Sequence, residues 1–231
     1  MQASAPPQDN EVSAAPPQRR YGGSEALVAV EPEWRAVPSG ARLSPRLEAL
    51  RPPIYSWIED YYDREHLTRA GDWMLALEPA APDYLVVAAL LHDLERKVPG
   101  GPDLDMANTP WDDRGYNDAH TGRSAVVVPA WLTAYGVDAE IAAGVAQPIR
   151  EHEFGGSPEG DLMQAVDSIS FLETNAGLVA GWATRGRCSP EKALQKLRWM
   201  GERVRHPEGS TIARLYMERA IAEFEALRRE S

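Results

Sequence analysis

The sequence predicts an all-α fold, and three observations carry that reading. Apolar residues recur at spacings of three and four. Helix-start signals, a Ser-Pro pair or a single Asp, stand ahead of most of these stretches. No alternation of strand with helix and no internal repeat interrupts them.

The elements follow in order. Ser44-Pro45 predicts a helix start, with Ser as N-cap and Pro at the first helical position. Pro52-Pro53 predicts its end, and Ile54 to Tyr62 reads as a second helix. Asp63 is placed to cap a third, roughly Arg64 to Leu77, with Leu67, Ala70, Met74 and Leu77 on one face. Asp83 opens a nearly all-apolar run through Leu91 that continues in helix-formers to Lys97. A helix that is apolar all round is a buried central one. A parallel strand competes for the apolar part, and the helix-formers through Lys97 decide against it.

From about Val98 to Tyr116 the chain is rich in Gly, Pro, Asp and Asn and reads as a long loop, of a length that often serves as a functional lid. Helices are then predicted from Asn117 to Tyr135, bent at Pro129, and from Asp138 to about His152. Ser157-Pro158 starts one through Glu173, Ser189-Pro190 one through about Val204, and Pro207 the last, to the C-terminus. Residues 1–42 differ from the rest. They hold six of the 19 prolines and read as a disordered or loosely docked Pro/Ala-rich tail ahead of one domain, 43–231.

Composition bounds the function. With 24 Lys+Arg against 35 Asp+Glu, the net charge of −11 argues against a basic duplex-binding face. One Cys excludes a disulfide framework and a Cys-based zinc or iron–sulfur site. No run approaches the ~18 apolar residues of a membrane span, and no secretory leader is evident, so a cytoplasmic protein with a small-molecule substrate is expected.

Four of the five histidines sit on or beside predicted helices: His66, His92, His120 and His152. Asp93 follows His92 directly, and Asp167 lies in the apolar stretch Ala165-Val166-Asp167-Ser168-Ile169. A carboxylate on an apolar helix is costly unless its charge is neutralised, and imidazole with carboxylate suits Fe, Mn, Co or Zn. The order His66, His92-Asp93, His120, His152, Asp167, with AALLHDL around the central pair, resembles the HD-domain metal-dependent phosphohydrolase superfamily over about residues 60–175.

The resemblance implies a helical bundle with a buried site for two divalent metal ions. His66, His92, Asp93 and Asp167 would ligate one ion; Asp93 would bridge to the second, completed by His120 and His152. It also implies hydrolysis of a small phosphate ester, such as a phosphomonoester, nucleotide or phosphodiester, by a metal-bridging hydroxide. In place of the superfamily's usual HDxxK lysine stands Arg96, with Lys97 beside it. Arg96 is therefore expected to hold a phosphate and act with Asp93 in catalysis, with Arg114 and Arg123 as further cations for the substrate. The last two helices hold Lys192, Lys196, Arg198, Arg203, Arg205 and Arg214, which read as a solvated face from which one or two could reach the phosphate.

The same ligand order occurs in the mixed-valent di-iron oxygenases of inositol and aminophosphonates; Glu59, upstream of His66, with Tyr55 nearby, resembles the Glu and Tyr of the aminophosphonate enzymes, though the Tyr spacing differs. A non-catalytic binding module of the same superfamily is the third reading. Five lid acids (Asp103, Asp105, Asp112, Asp113 and Asp118) read first as a solvated loop, and as a functional feature they favour a small ligand, or one with a cationic group, over a polynucleotide. Trp111, also in the lid, is placed to stack on a substrate ring.

Overall fold

A computed structural model describes residues 43–229, and among them every regular element is a helix. The tail predicted for residues 1–42 lies outside the described residues. The first helix, α1 (Pro45–Ile58), begins where Ser44 Oγ accepts from the amide of Leu47 at 3.1 Å. The same hydroxyl donates to Asp83 Oδ2 at 2.5 Å, which ties this start to that of the helix opening at Asp83.

Contrary to expectation, α1 runs through Pro52 and Pro53. Each interior proline costs roughly 3 kcal/mol. Leu47, Ile54, Trp57 and Ile58 are buried along one face, and each contributes roughly 1.5–3 kcal/mol. Burial therefore matches or outweighs the breaks, and the two expected helices are one.

Helix α2 (Arg64–Leu77) has the predicted bounds, with Asp63 at its N-cap position. Asp63 does not cap it, however; its carboxylate accepts from Asn175 Nδ2 at 2.8 Å. Helix α3 (Asp83–Leu91) is buried from Leu85 to Leu91, as the all-round apolar run predicts. It does not continue to Lys97. It stops at His92, and a 3₁₀ turn (Leu94–Lys97) follows, so His92 and Asp93 stand at the joint.

After the loop come α4 (Arg114–Ala134), α5 (Ala139–Gly144) and α6 (Ala146–Glu151). The predicted single helix from Asp138 to His152 is divided at Val145. Pro148 has no amide to give the carbonyl of Gly144, so the ladder lapses there. Then follow α7 (Pro158–Thr174), α8 (Ala176–Thr184), α9 (Pro190–Glu202) and α10 (Pro207–Arg229). Helix α8 was not predicted; its sequence, AGLVAGWAT, lacks a Ser-Pro start and carries two glycines.

Helix α7 is the centre of the bundle. It packs against α2, α3, α6, α8, α9 and α10, and every residue from Leu162 to Leu172 is buried. Asp167 stands at the middle of that stretch. Among the described residues no helix is long and apolar enough to cross a membrane.

Candidate metal centre

Helix ends and helix centres deliver the six predicted ligands to one place. His66 lies near the start of α2, His120 within α4, and Asp167 at the middle of α7. His92 and His152 are the C-cap residues of α3 and α6. A helix end leaves carbonyls without intrahelical donors. The rings turn back to use them: Nδ1 of His92 lies 2.9 Å from the carbonyl of Ala89, and Nδ1 of His152 lies 2.6 Å from that of Ile149. After His152 the chain turns sharply through Gly155 and Gly156, with φ of +65° and +139°, to enter α7. A side chain on Gly155 would also collide with Asp161.

The other two rings are held in the same way. Nδ1 of His66 lies 2.9 Å from Ser170 Oγ, whose own hydroxyl donates to the carbonyl of Val166 and so leaves its oxygen as acceptor. Nδ1 of His120 lies 2.8 Å from Glu95 Oε1. Assigned from this network, the neutral form of each ring carries its proton on Nδ1 and turns the Nε2 lone pair inward.

Those lone pairs meet carboxylates. Nε2 of His66 and of His92 lie 3.2 and 3.4 Å from Asp167 Oδ1; Nε2 of His120 and of His152 lie 2.8 and 3.9 Å from Asp93 Oδ1. Nε2 of His92 is buried without a hydrogen-bond partner; the 3.4 Å approach of Asp167 lacks hydrogen-bond geometry.

Each carboxylate has its second oxygen engaged by an arginine. Arg96 Nε donates to Asp93 Oδ2 at 3.0 Å, and Arg203 donates to Asp167 Oδ2. One oxygen of each is thereby turned to the imidazoles. Three overlapping sets have ligand atoms within 4.8 Å of one another: His66, His92 and Asp93; Asp93, His120 and His152; and His92, His152 and Asp167. Asp93 belongs to the first two. Inward lone pairs facing carboxylate oxygens repel unless positive charge lies between them. Metal cations fit this donor set, and the buried His/Asp cluster can hold them.

The electrostatics follow from the packing. Burial opposes ionisation of Asp93, but Arg96 and His120 overcome it and hold its carboxyl well below the usual range. Burial opposes ionisation of Asp167 too, and Arg203 together with His66 and His92 keeps it charged. Burial disfavours the charged ring of His92, yet the carboxylates of Asp167 and Asp93 push it up to about 9. His152, where burial is joined by the charge of His92, is pushed down to about 4.

A cavity of about 470 Å³ opens onto this cluster, bordered by His66, Asp93, Arg96 and Asp167. Arg96 is where the sequence places it. It bonds Asp93 and the Tyr116 hydroxyl (2.8 Å), and Nη2 lies 3.2 Å from Nε2 of His120.

Lys97, Arg114, Arg123 and Glu59, also expected to bind substrate, do not line the cavity. Lys97 turns away to the carbonyl of Trp57 and the carboxylate of Asp60. Arg123 pairs with Glu95 Oε2 at 2.7 Å and bonds the carbonyls of Val98 and Pro99. Arg114 lies over the ring of Phe154, 3.6 Å from its centre. Glu59 is exposed at the end of α1.

Of the lid acids, Asp103 lines the cavity. Asp113 caps α4, Asp105 holds its own turn and Asp118 faces Arg114. Trp111 also lines the cavity, but its indole N–H donates to the carbonyl of Lys192 at 2.8 Å and its ring stacks on Trp182. The lid is thus fastened to α9.

The sequence does not single out Glu95 or Ser170, and it offers Arg203 only as one of several cations that could reach the phosphate. Glu95 and Ser170 orient ligands, and Arg203 spans Asp167, Glu153 and Ser168 Oγ. Glu95 had one available signal, because it follows Asp93 by two residues; Arg203 and Ser170 had none. A scan against protein-family models and searches of curated proteins and of solved structures find no match to this chain.

Proposed function

We propose that this protein is a metal-dependent hydrolase of small phosphate esters, with two divalent ions held by His66, His92, Asp93, His120, His152 and Asp167. One observation carries the reading: four buried imidazoles, each with Nδ1 engaged by the protein, turn Nε2 towards two carboxylates whose other oxygens are tied to arginines. When bound, such ions lower the pKa of water towards ~7 and polarise a phosphoryl oxygen.

The chain's own residues do the rest. Arg96 holds Asp93 with Nε and Tyr116 with Nη1, so its guanidinium plane is fixed at the cavity wall. Asp93, His120 and His152 would hold a cation beside Arg96, and Arg96 Nη2, which lies 3.2 Å from Nε2 of His120, would then be available to a phosphate oxygen at the cavity wall. Trp111, Phe171 and Met200 give the cavity apolar walls that exclude water around a bound ester.

The oxygenase reading leaned on Glu59, and Glu59 does not line the cavity. The test is reconstitution of the purified protein with Mn²⁺ or Co²⁺, and assay of phosphate release from a panel of phosphomonoesters and phosphodiesters. Turnover that Asp93→Ala abolishes is expected. A mixed-valent di-iron signal, in Mössbauer or EPR spectra of anaerobically purified protein, that responds to an aminophosphonate or a polyol, with no phosphate release, would overturn the reading.

A further inference from the structure

The cavity has a second charged wall that the metal centre does not use. Arg185 and Arg187 follow α8, Lys196 lies on α9, and all three line the cavity. Among the described residues none of the three forms an ion pair or a side-chain hydrogen bond. The acids of the cavity wall are mostly committed elsewhere. Asp93 faces Arg96, Asp167 and Glu153 share Arg203, and Asp63 accepts from Asn175.

Lys196 is the most confined of the three. Its ammonium lies 4.4 Å from the ring centre of Trp199, 5.1 Å from that of Phe171 and 5.6 Å from that of Trp111. Aromatic faces stabilise a cation, but they leave its three N–H donors without an acceptor. A cationic side chain held between rings at a cavity wall, with no carboxylate of its own, is arranged for an anion that comes from outside.

We propose that Lys196, with Arg185 and Arg187, forms a subsite for a second anionic group of the substrate, separate from the group bound at Asp93 and Arg96. The proposal rests on the hydrolase reading and sharpens it. The substrate class becomes an organic phosphate that carries a further phosphate or carboxylate. The molecule is compact enough for about 470 Å³, and its apolar or planar middle lies against Trp111 and Phe171.

Two non-hydrolysable probes test it, phenylphosphonate and 4-carboxyphenylphosphonate, titrated by calorimetry into the metal-loaded protein and into the chelator-treated protein. Wild type should bind the two-ended probe about tenfold more tightly than the one-ended one. Lys196→Met keeps an unbranched side chain among the rings and should bring the two affinities together. The double variant Arg185→Gln/Arg187→Gln, at exposed positions, should reduce the preference while folding normally.

Equal affinities in wild type, or a preference that survives in Lys196→Met, would overturn the subsite. Metal content, measured on the same samples, separates the two ideas. A preference in a protein that takes up no metal keeps the subsite and removes the hydrolase reading. Two bound metals with no preference does the reverse.

Discussion

Glu95 accepts the Nδ1–H of His120 across 2.8 Å, from the side of the ring opposite Asp93. The carboxylate fixes the tautomer and makes Nε2 a better donor to a cation. Arg123, expected to meet the substrate, instead fixes Glu95 from behind. Glu95→Gln should weaken metal affinity about 10- to 100-fold with helicity unchanged, as read by chelator competition and far-ultraviolet circular dichroism. Unchanged affinity would remove Glu95 from the centre.

Asp93 is common to two ligand sets, so its loss should be felt at both. Asp93→Ala should lose metal while the helical fold survives, measured by elemental analysis beside circular dichroism. His120→Ala should hold one metal per chain. Full metal content in the first, or two metals per chain in the second, would contradict the dinuclear assignment.

Arg203 joins α9 to α6 and α7 through Glu153, Asp167 and Ser168, with its side chain only 5% exposed. Removing it strands two buried carboxylates. Arg203→Ala should cost about 3–5 kcal/mol in urea denaturation of the metal-free protein. A loss below about 1 kcal/mol, the range of an exposed pair, would show that the clamp is not what holds these helices.

Two buried rings give the metal-free protein a stability maximum near their ordinary pKa of 6.5. His92 is raised to about 9 in the fold, so its contribution is complete below about 6.5 and is lost as pH rises through about 9. His152 is lowered to about 4, so its contribution is complete above about 6.5 and is lost as pH falls towards about 4. Thermal unfolding with a chelator present should therefore peak between these limits, and His92→Gln should flatten the alkaline side. A metal-free Tm that keeps rising to pH 9 would contradict the His92 assignment.

Much of the fold was legible because it is written in local terms. Ser157-Pro158 and Ser189-Pro190 start helices by their own chemistry, and the all-apolar run after Asp83 can only be a buried element. Where local rules met tertiary packing, packing won. The Pro52-Pro53 pair stays inside α1 because one buried face offsets its missing bonds. Helix α8, with no start signal, is held by its contacts with α9 and α10.

The site divides in the same way. The ligand candidates were legible in the sequence through a resemblance, that of the order His66, His92-Asp93, His120, His152, Asp167 to a known metal-site order; each residue alone is uninformative. The sequence could not determine which cations face the substrate. Arg96, Lys97, Arg114 and Arg123 look alike as sequence neighbours of the ligands, yet only Arg96 points into the cavity. Charged side chains are long and flexible, and the nearest acceptor in space settles their direction. For Lys97, Arg123 and Arg203 that acceptor lies 40, 28 and 50 residues away in the chain. Only the tertiary structure brings such partners together, and it left Lys196 with rings around it and no acid beside it.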